Sequence, residues 1–276
     1  MKLLTFDYDG AVRYGAAVGD EVIDLTARIG GQYNSLLSLL QAGNMREAAS
    51  ALTLPGPRYD LAKIQYRAPL EPAHRIFCVG ANYPKRNPLG GVYAGDKYPL
   101  IFAKVPDALV PHRAKLTKPS VSNRYDYEGE LAVVIGRAGW NIPHANALSH
   151  VAGYTCLNDG SARDFQAHSV WAGKNFFRSG SWGPWIVTAD EIPDPGKLNL
   201  ETRVNGEITQ SGNTATMFFS VQDVISYVSQ IMPLQPGDVI ATGSPERLGD
   251  TQRALSAGDR IEITIQGIGT LANTVA

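Results

Sequence analysis

The chain has 276 residues, 44% of them hydrophobic and 18% charged, which is enough apolar text for a sizeable core and too little charge for a disordered chain. Twenty-five Lys and Arg against 26 Asp and Glu leave a net charge of −1 without blocks of like charge, so the sequence lacks the electrostatic footprint of a nucleic-acid or membrane partner. No apolar run approaches the roughly 20 residues of a membrane helix, and Asp7 and Asp9 fall where a signal peptide would be apolar, so a soluble, cytoplasmic protein is expected.

Strand-like text at Lys2–Tyr8 and at residues 19–25 precedes a helical stretch rich in Leu36, Leu37, Leu39 and Leu40. Pro55 and Pro57 break that helix, and residues 53–59 read as a linker. Residues 1–68 are therefore expected to form a small α/β N-terminal domain. From residue 69 to residue 276 short β-runs alternate with Gly, Pro, Asn and Asp, at 76–80, 131–136, 185–188, 238–242 and 260–265. One helix is well marked: Ser220 can cap it, Asp223 stands three residues on, and Val221, Val224, Ile225 and Val228 form an apolar stripe that Pro233 terminates. The phrase Leu-x-x-Gly-Asp-x-Ile begins at Leu234 and again at Leu255, and reads as a turn leading into a strand. The expected class is α+β, mainly β. Cys78 and Cys156, both in apolar text, are expected as buried free thiols, and Trp182 and Trp185 as core packing.

The most informative residues are acidic. Glu128 and Glu130 sit two apart at the start of an apolar run, and side chains at i and i+2 of a strand share a face. Burying two like charges side by side costs several kcal/mol unless a cation or proton compensates. The plain alternative is a strand end at the surface with both acids solvated. Asp159 ends another apolar run, and three carboxylates without Cys or His match the oxygen preference of Mg²⁺ or Mn²⁺, with Ca²⁺ a further candidate.

The segments 126–136, 158–166, 173–176, 183–185, 204–207, 210–214 and 236–245 closely resemble, in order, the fumarylacetoacetate hydrolase family. The likeness runs from about residue 75 to the end, with the leading residues matching only in kind. It implies a mixed β-roll, commonly a homodimer, acting on a small dicarbonyl or 2-oxo acid. By that resemblance Glu128, Glu130 and Asp159 are the divalent-metal ligands and Lys174 is the active-site lysine. Arg163, Gln166, Ser244 and Tyr83 fall on substrate-binding positions, Ser244 standing where the family usually has Thr, and Arg86, which departs from the family, is a substrate-binding candidate by its charge.

Hydrolytic members draw a water-activating His and Glu from the segment after a Gly-x-Asn-Tyr motif. Here Gly80-Ala81-Asn82-Tyr83 is present, but Arg86 stands at the His position and Leu89 at the Glu position. Arginine stays protonated and cannot serve as that base. A replacement base among His74, His112, His144, His150 and His168 would restore hydrolysis, and Lys85 and Arg86 could instead bind an acidic substrate group. The expectation is a metal-dependent hydrolase cleaving a C–C bond in a 2-oxo or 1,3-dicarbonyl acid. A decarboxylase or isomerase of a 2-oxo acid is the first alternative, and a non-catalytic metal- or ligand-binding member the second.

Overall fold

The computed structural model describes residues 1–71, 75–85, 95, 97–249 and 253–276. Among them a large mixed sheet runs in the order Arg58–Asp60, Glu21–Asp24, Ala11–Val18, Lys2–Tyr8, Gly180–Thr188, Val151–Asn158, Gly129–Ile135, Val239–Ala241, Ile76–Gly80 and Leu100–Lys104. Most pairings are antiparallel, while Val239–Ala241 and Ile76–Gly80 run parallel. A second sheet is built from Glu207–Asn213, Asn199–Val204, Arg260–Ile265, Gly269–Val275 and Lys115–Leu116. The mainly β, mixed-sheet class read from the sequence is the class observed.

Gly129–Ile135 is the central strand, and all seven of its residues are buried. Its alternation divides the core in two. Leu131, Val133 and Ile135 join Leu200, Ile261, Ile263 and Leu271 of the second sheet and Val224, Ile225 and Val228 of the helix Val221–Ile231. Ala132 and Val134 face the opposite way, into a cluster with Leu36, Leu37, Leu39 and Leu40. A strand covered on both faces reads as a continuous apolar run, which is why the text after Glu130 carries no polar alternation.

The N-terminal strands extend the large sheet through the pairs Lys2–Val187 and Leu3–Ile186. Ala11–Val18 pairs with Lys2–Tyr8 across the two-residue turn Asp9-Gly10, both at positive φ, the type that matches strand twist. The expected helical stretch is two helices, Leu36–Gln41 and Met45–Ala51. Arg58 and Tyr59, read as linker, belong instead to an edge strand paired with Glu21–Asp24, because that strand leaves its outer hydrogen bonds open.

The helix Val221–Ile231 carries the expected capping box: the Asp223 N–H donates to Ser220 Oγ and the Ser220 N–H to Asp223 Oδ2. The echoed phrase is one turn used twice. Gly237 and Gly258 have φ near +90°, Asp238 Oδ2 accepts from the Gln235 N–H, and Asp259 Oδ2 accepts from the Ser256 N–H. Each turn launches a strand, one in each sheet. Both cysteines are buried free thiols. Trp182 is 2% exposed, and the Trp185 indole N–H donates to the Ile268 carbonyl. Among the described residues no helix is long and apolar enough to cross a membrane.

His112 lies between the N-terminal strands and the second sheet, edge-on to the Tyr66 ring, with Nδ1 accepting from the Ala272 N–H. Burial first, and then Arg113 and Arg260, depress its pKa to about 4. The unfolded chain takes up a proton near pH 6.5 that the native state refuses, so stability is lost as pH falls from about 6.5 toward 4. Full development of that shift is worth about 3 kcal/mol. Urea midpoints measured across this range should fall less steeply for His112→Gln than for wild type, and parallel acid limbs would contradict the burial of a neutral imidazole.

Candidate active site

Glu128, Glu130 and Asp159 converge because two neighbouring strands end together. Gly129 pairs with Asn158 and Glu130 with Leu157, and the Asp159 N–H donates to the Glu128 carbonyl. The alternation that sends Ala132 and Val134 to one face carries Glu130 and Glu128 to that same face. The three carboxylates are buried, with one oxygen from each within 4.8 Å of the others. The alternative of a solvated strand end is therefore excluded. An all-oxygen set at this spacing suits a hard divalent cation, and its burial demands positive charge, so these residues fit a metal site.

Basic side chains answer that charge. The Lys174 ammonium donates to Glu128 Oε2 and to Asp159 Oδ2, the latter at 2.7 Å. Lys174 ends the short helix Val170–Lys174, which Ser169 caps by accepting from the Ala172 N–H. Arg163 pairs with Glu128 Oε1 at 2.8 Å and with Asp126 Oδ2 at 2.8 Å, while the neighbouring Asp164 accepts from the Ser122 hydroxyl. Asp126 is shared with Arg247, whose guanidinium also lies 4.9 Å from the Tyr127 ring centre.

These contacts set the protonation states. Burial alone would raise Glu128, but Arg163, Lys174 and Lys85 hold it well below the ordinary carboxyl range. Glu130 goes the other way: burial, then Asp159 and Glu128, push it up. Burial would lower the Lys174 ammonium, yet Asp159 and Glu128 prevail and raise it, so the amine stays charged. Arg163 is likewise raised by Glu128 and Asp126 against burial.

A cavity of about 220 Å³ opens on this cluster. Its wall carries Glu128, Glu130, Asp159, Arg163, Gln166, Lys174 and Ser244, together with Lys85, Leu100 and Phe102. Eight of the residues singled out in the sequence, Lys85 among them, thus meet at one place. Tyr83 lies behind the wall at 1% exposure, with no hydrogen-bond partner for its hydroxyl among the described residues. Arg86, Leu89 and His74 lie outside the described residues. The other histidines are elsewhere: His112 beside Tyr66, His144 against Asp223, His150 against Arg137, and His168 against the Phe165 ring.

Sequence reasoning missed two buried residues that hold the site. Lys104, at the end of the strand Leu100–Lys104, donates to Asp159 Oδ1 at 2.7 Å and to the Lys174 carbonyl. A lysine closing an apolar run was its only signal. Gln210, 1% exposed, accepts from the Gly129 N–H at 3.0 Å and donates to the Pro245 carbonyl at 2.7 Å. It ties the second sheet to the acid-bearing strand and to the Ser244 loop. The approach is close enough that a Cβ on Gly129 would stand 2.3 Å from Thr202 Oγ1. The same loop reaches Glu130 directly, since the Gly243 N–H donates to Glu130 Oε2.

Residues 75–276 match the family model described as fumarylacetoacetate (FAA) hydrolase C-terminal. The chain is 39% identical over 225 residues to a Bacillus subtilis protein named oxaloacetate tautomerase YisK, covering 79% of this chain and 75% of that one. Among solved structures, a fumarylacetoacetate hydrolase from Exiguobacterium antarcticum superposes with a TM-score of 0.86 at 35% identity, over 100% of this chain and 99% of that one. Maleylpyruvate hydrolase from Sphingobium sp. SYK-6, in complex with manganese(II) and pyruvate, gives 0.84 at 31% identity, over 100% and 99%.

Gln210→Ala should leave the Gly129 N–H and the Pro245 carbonyl buried without partners and cost about 2 kcal/mol or more. The measurement is the urea midpoint at constant slope, and a loss below about 0.5 kcal/mol would contradict the bridging role.

Proposed function

We propose a function from one premise: the chain belongs to the fumarylacetoacetate hydrolase family. We infer that it is a divalent-metal-dependent tautomerase interconverting the keto and enol forms of a small 2-oxo dicarboxylic acid of the oxaloacetate type. The observation that carries this reading is the composition of the cavity wall. It joins three carboxylates to the cationic Lys85, Arg163 and Lys174 and, among the described residues, includes no histidine.

Glu128, Glu130 and Asp159 would hold Mg²⁺ or Mn²⁺, and such an ion supplies Lewis-acid polarisation of a keto oxygen. Lys174, kept protonated by Asp159 and Glu128, is a fixed positive charge for an oxygen that becomes anionic, and not the base that removes a proton. Arg163 and Lys85 answer the carboxylates of the substrate, and Gln166 and Ser244 offer neutral hydrogen-bonding groups beside them. Hydrolysis needs a base that activates water, and Arg86 at the position of the family's His cannot act as one. Keto–enol exchange uses no water nucleophile; it moves one proton between the carbon beside the keto group and the keto oxygen, which solvent water in the open cavity can carry once that carbonyl is polarised, so the lost His and Glu remove one chemistry and leave the other open. The tautomerase name of the Bacillus subtilis relative supports the reaction, and the manganese and pyruvate of the Sphingobium enzyme support a 2-oxo acid beside a cation.

A second reading, hydrolytic C–C cleavage of an acylpyruvate, is favoured by the full-length likeness to maleylpyruvate hydrolase. It requires a base placed to activate water, and among the described residues the wall has no histidine to act as one.

The test is chelator-stripped protein reloaded with Mg²⁺ and given freshly dissolved, enol-rich oxaloacetate. Enol absorbance should decay faster than in buffer, with oxaloacetate recovered intact and the acceleration lowered at least about 100-fold by chelator. Stoichiometric release of carbon dioxide would replace tautomerisation by decarboxylation. Carboxylate carrying ¹⁸O, formed from an acylpyruvate in ¹⁸O-water, would replace it by hydrolysis.

A further inference from the structure

Each of the three clustered carboxylates has one oxygen tied to a donor of the protein. Glu130 Oε2 accepts from the Gly243 N–H at 2.9 Å, Glu128 Oε1 pairs with Arg163 at 2.8 Å, and Asp159 Oδ1 pairs with Lys104 at 2.7 Å. The oxygens that remain are Glu130 Oε1, Glu128 Oε2 and Asp159 Oδ2, the last two sharing the Lys174 ammonium. With the shared Lys174 ammonium set aside, the cluster leaves one oxygen per carboxylate for a cation.

The two lysines on Asp159 differ in kind. Lys174 lines the cavity. Lys104 stands behind the carboxylate with a fully buried side chain. Its three N–H groups point to Asp159 Oδ1, to the Gly160 carbonyl at 3.4 Å and to the Lys174 carbonyl, so all the donors of an ammonium are engaged. Lys104 is therefore held in place by backbone acceptors as well as by the acid it contacts.

We propose that Lys104 is a positioning residue that sets which cation the site accepts, by fixing Asp159 as a one-oxygen ligand. The proposal rests on reading Glu128, Glu130 and Asp159 as the cation site. Ca²⁺ takes six to eight oxygens and gains from two-oxygen carboxylate binding, whereas a smaller octahedral ion needs six well-placed oxygens and keeps several waters. Three one-oxygen carboxylates would supply half the oxygens of a small ion that keeps several waters, and a smaller share of the larger shell that Ca²⁺ takes. Of the three tethers, the one on Glu130 is a backbone N–H, and the one on Glu128 is a cavity-wall arginine. Lys104 is the one side-chain tether that does not itself line the cavity.

The experiment is calorimetric titration of chelator-stripped wild type, Lys104→Met and Lys104→Arg with Mn²⁺ and with Ca²⁺, which needs no turnover. Wild type should bind Mn²⁺ more tightly than Ca²⁺. Lys104→Met frees Asp159 Oδ1, and the ratio of Ca²⁺ to Mn²⁺ affinity should rise at least about tenfold, or ~1.4 kcal/mol. Loss of a nearby positive charge strengthens both ions and cancels in that ratio. Lys104→Arg keeps a donor on the same oxygen and should keep the wild-type ratio. A ratio in Lys104→Met within about twofold of wild type would overturn the role of Lys104 while leaving the cation site standing. Absence of saturable binding by wild type would overturn both. If Lys104→Met does not fold, wild type decides alone, and tighter binding of Ca²⁺ than of Mn²⁺ overturns the proposal.

Discussion

Three carboxylates buried within 4.8 Å of one another are the constraint to which the rest of the molecule answers. Charges at that separation inside a protein repel by several kcal/mol, and each also loses its hydration. The fold meets the demand with cations drawn from separate parts of the chain: Lys104 from a strand end, Arg163 from a loop, and Lys174 from the end of a short helix. The compensation is directional, because each carboxylate has an oxygen tied to a fixed donor. A cluster so arranged is a site held ready for a cation, and the cost of holding it is distributed over the surrounding hydrogen bonds.

That readiness depends on the central strand. Gly129–Ile135 is covered on both faces, so the side chains beyond Glu130 lock its register: Leu131, Val133 and Ile135 against the second sheet, Ala132 and Val134 against the other core. A slip of one residue would turn every one of them to the wrong face and carry Glu128 and Glu130 with them. Gln210 and Gly243 then fix the strand's leading end and the loop over it. Rigidity at the acids and an open wall bearing Lys85, Gln166 and Ser244 are complementary: one orders the charge, and the other is where the proposed function places an acidic substrate.

Much of this was legible in the sequence, for identifiable reasons. The pair Glu128 and Glu130 could be read because strand alternation is local, and Asp159 because it closes the next apolar run. The helix Val221–Ile231 was legible through the Ser220–Asp223 box, and the two Gly-Asp turns through their repeated wording. Lys104 and Gln210 were not, since what makes them important is pairing with residues 55 and 81 positions away. The strand Ala11–Val18 escaped notice because Ala and Gly give it little β character, although the Asp9-Gly10 turn before it was a usable sign. Arg58 and Tyr59 read as linker because edge pairing is a tertiary event.

The most direct test is an anomalous difference map from a crystal grown with Mn²⁺. The account predicts a single strong peak per chain at coordination distance from one oxygen each of Glu128, Glu130 and Asp159, with Asp159 Oδ1 still on Lys104. A crystal whose manganese lies elsewhere, or whose three carboxylates keep only the protein's own donors at saturating Mn²⁺, would contradict it.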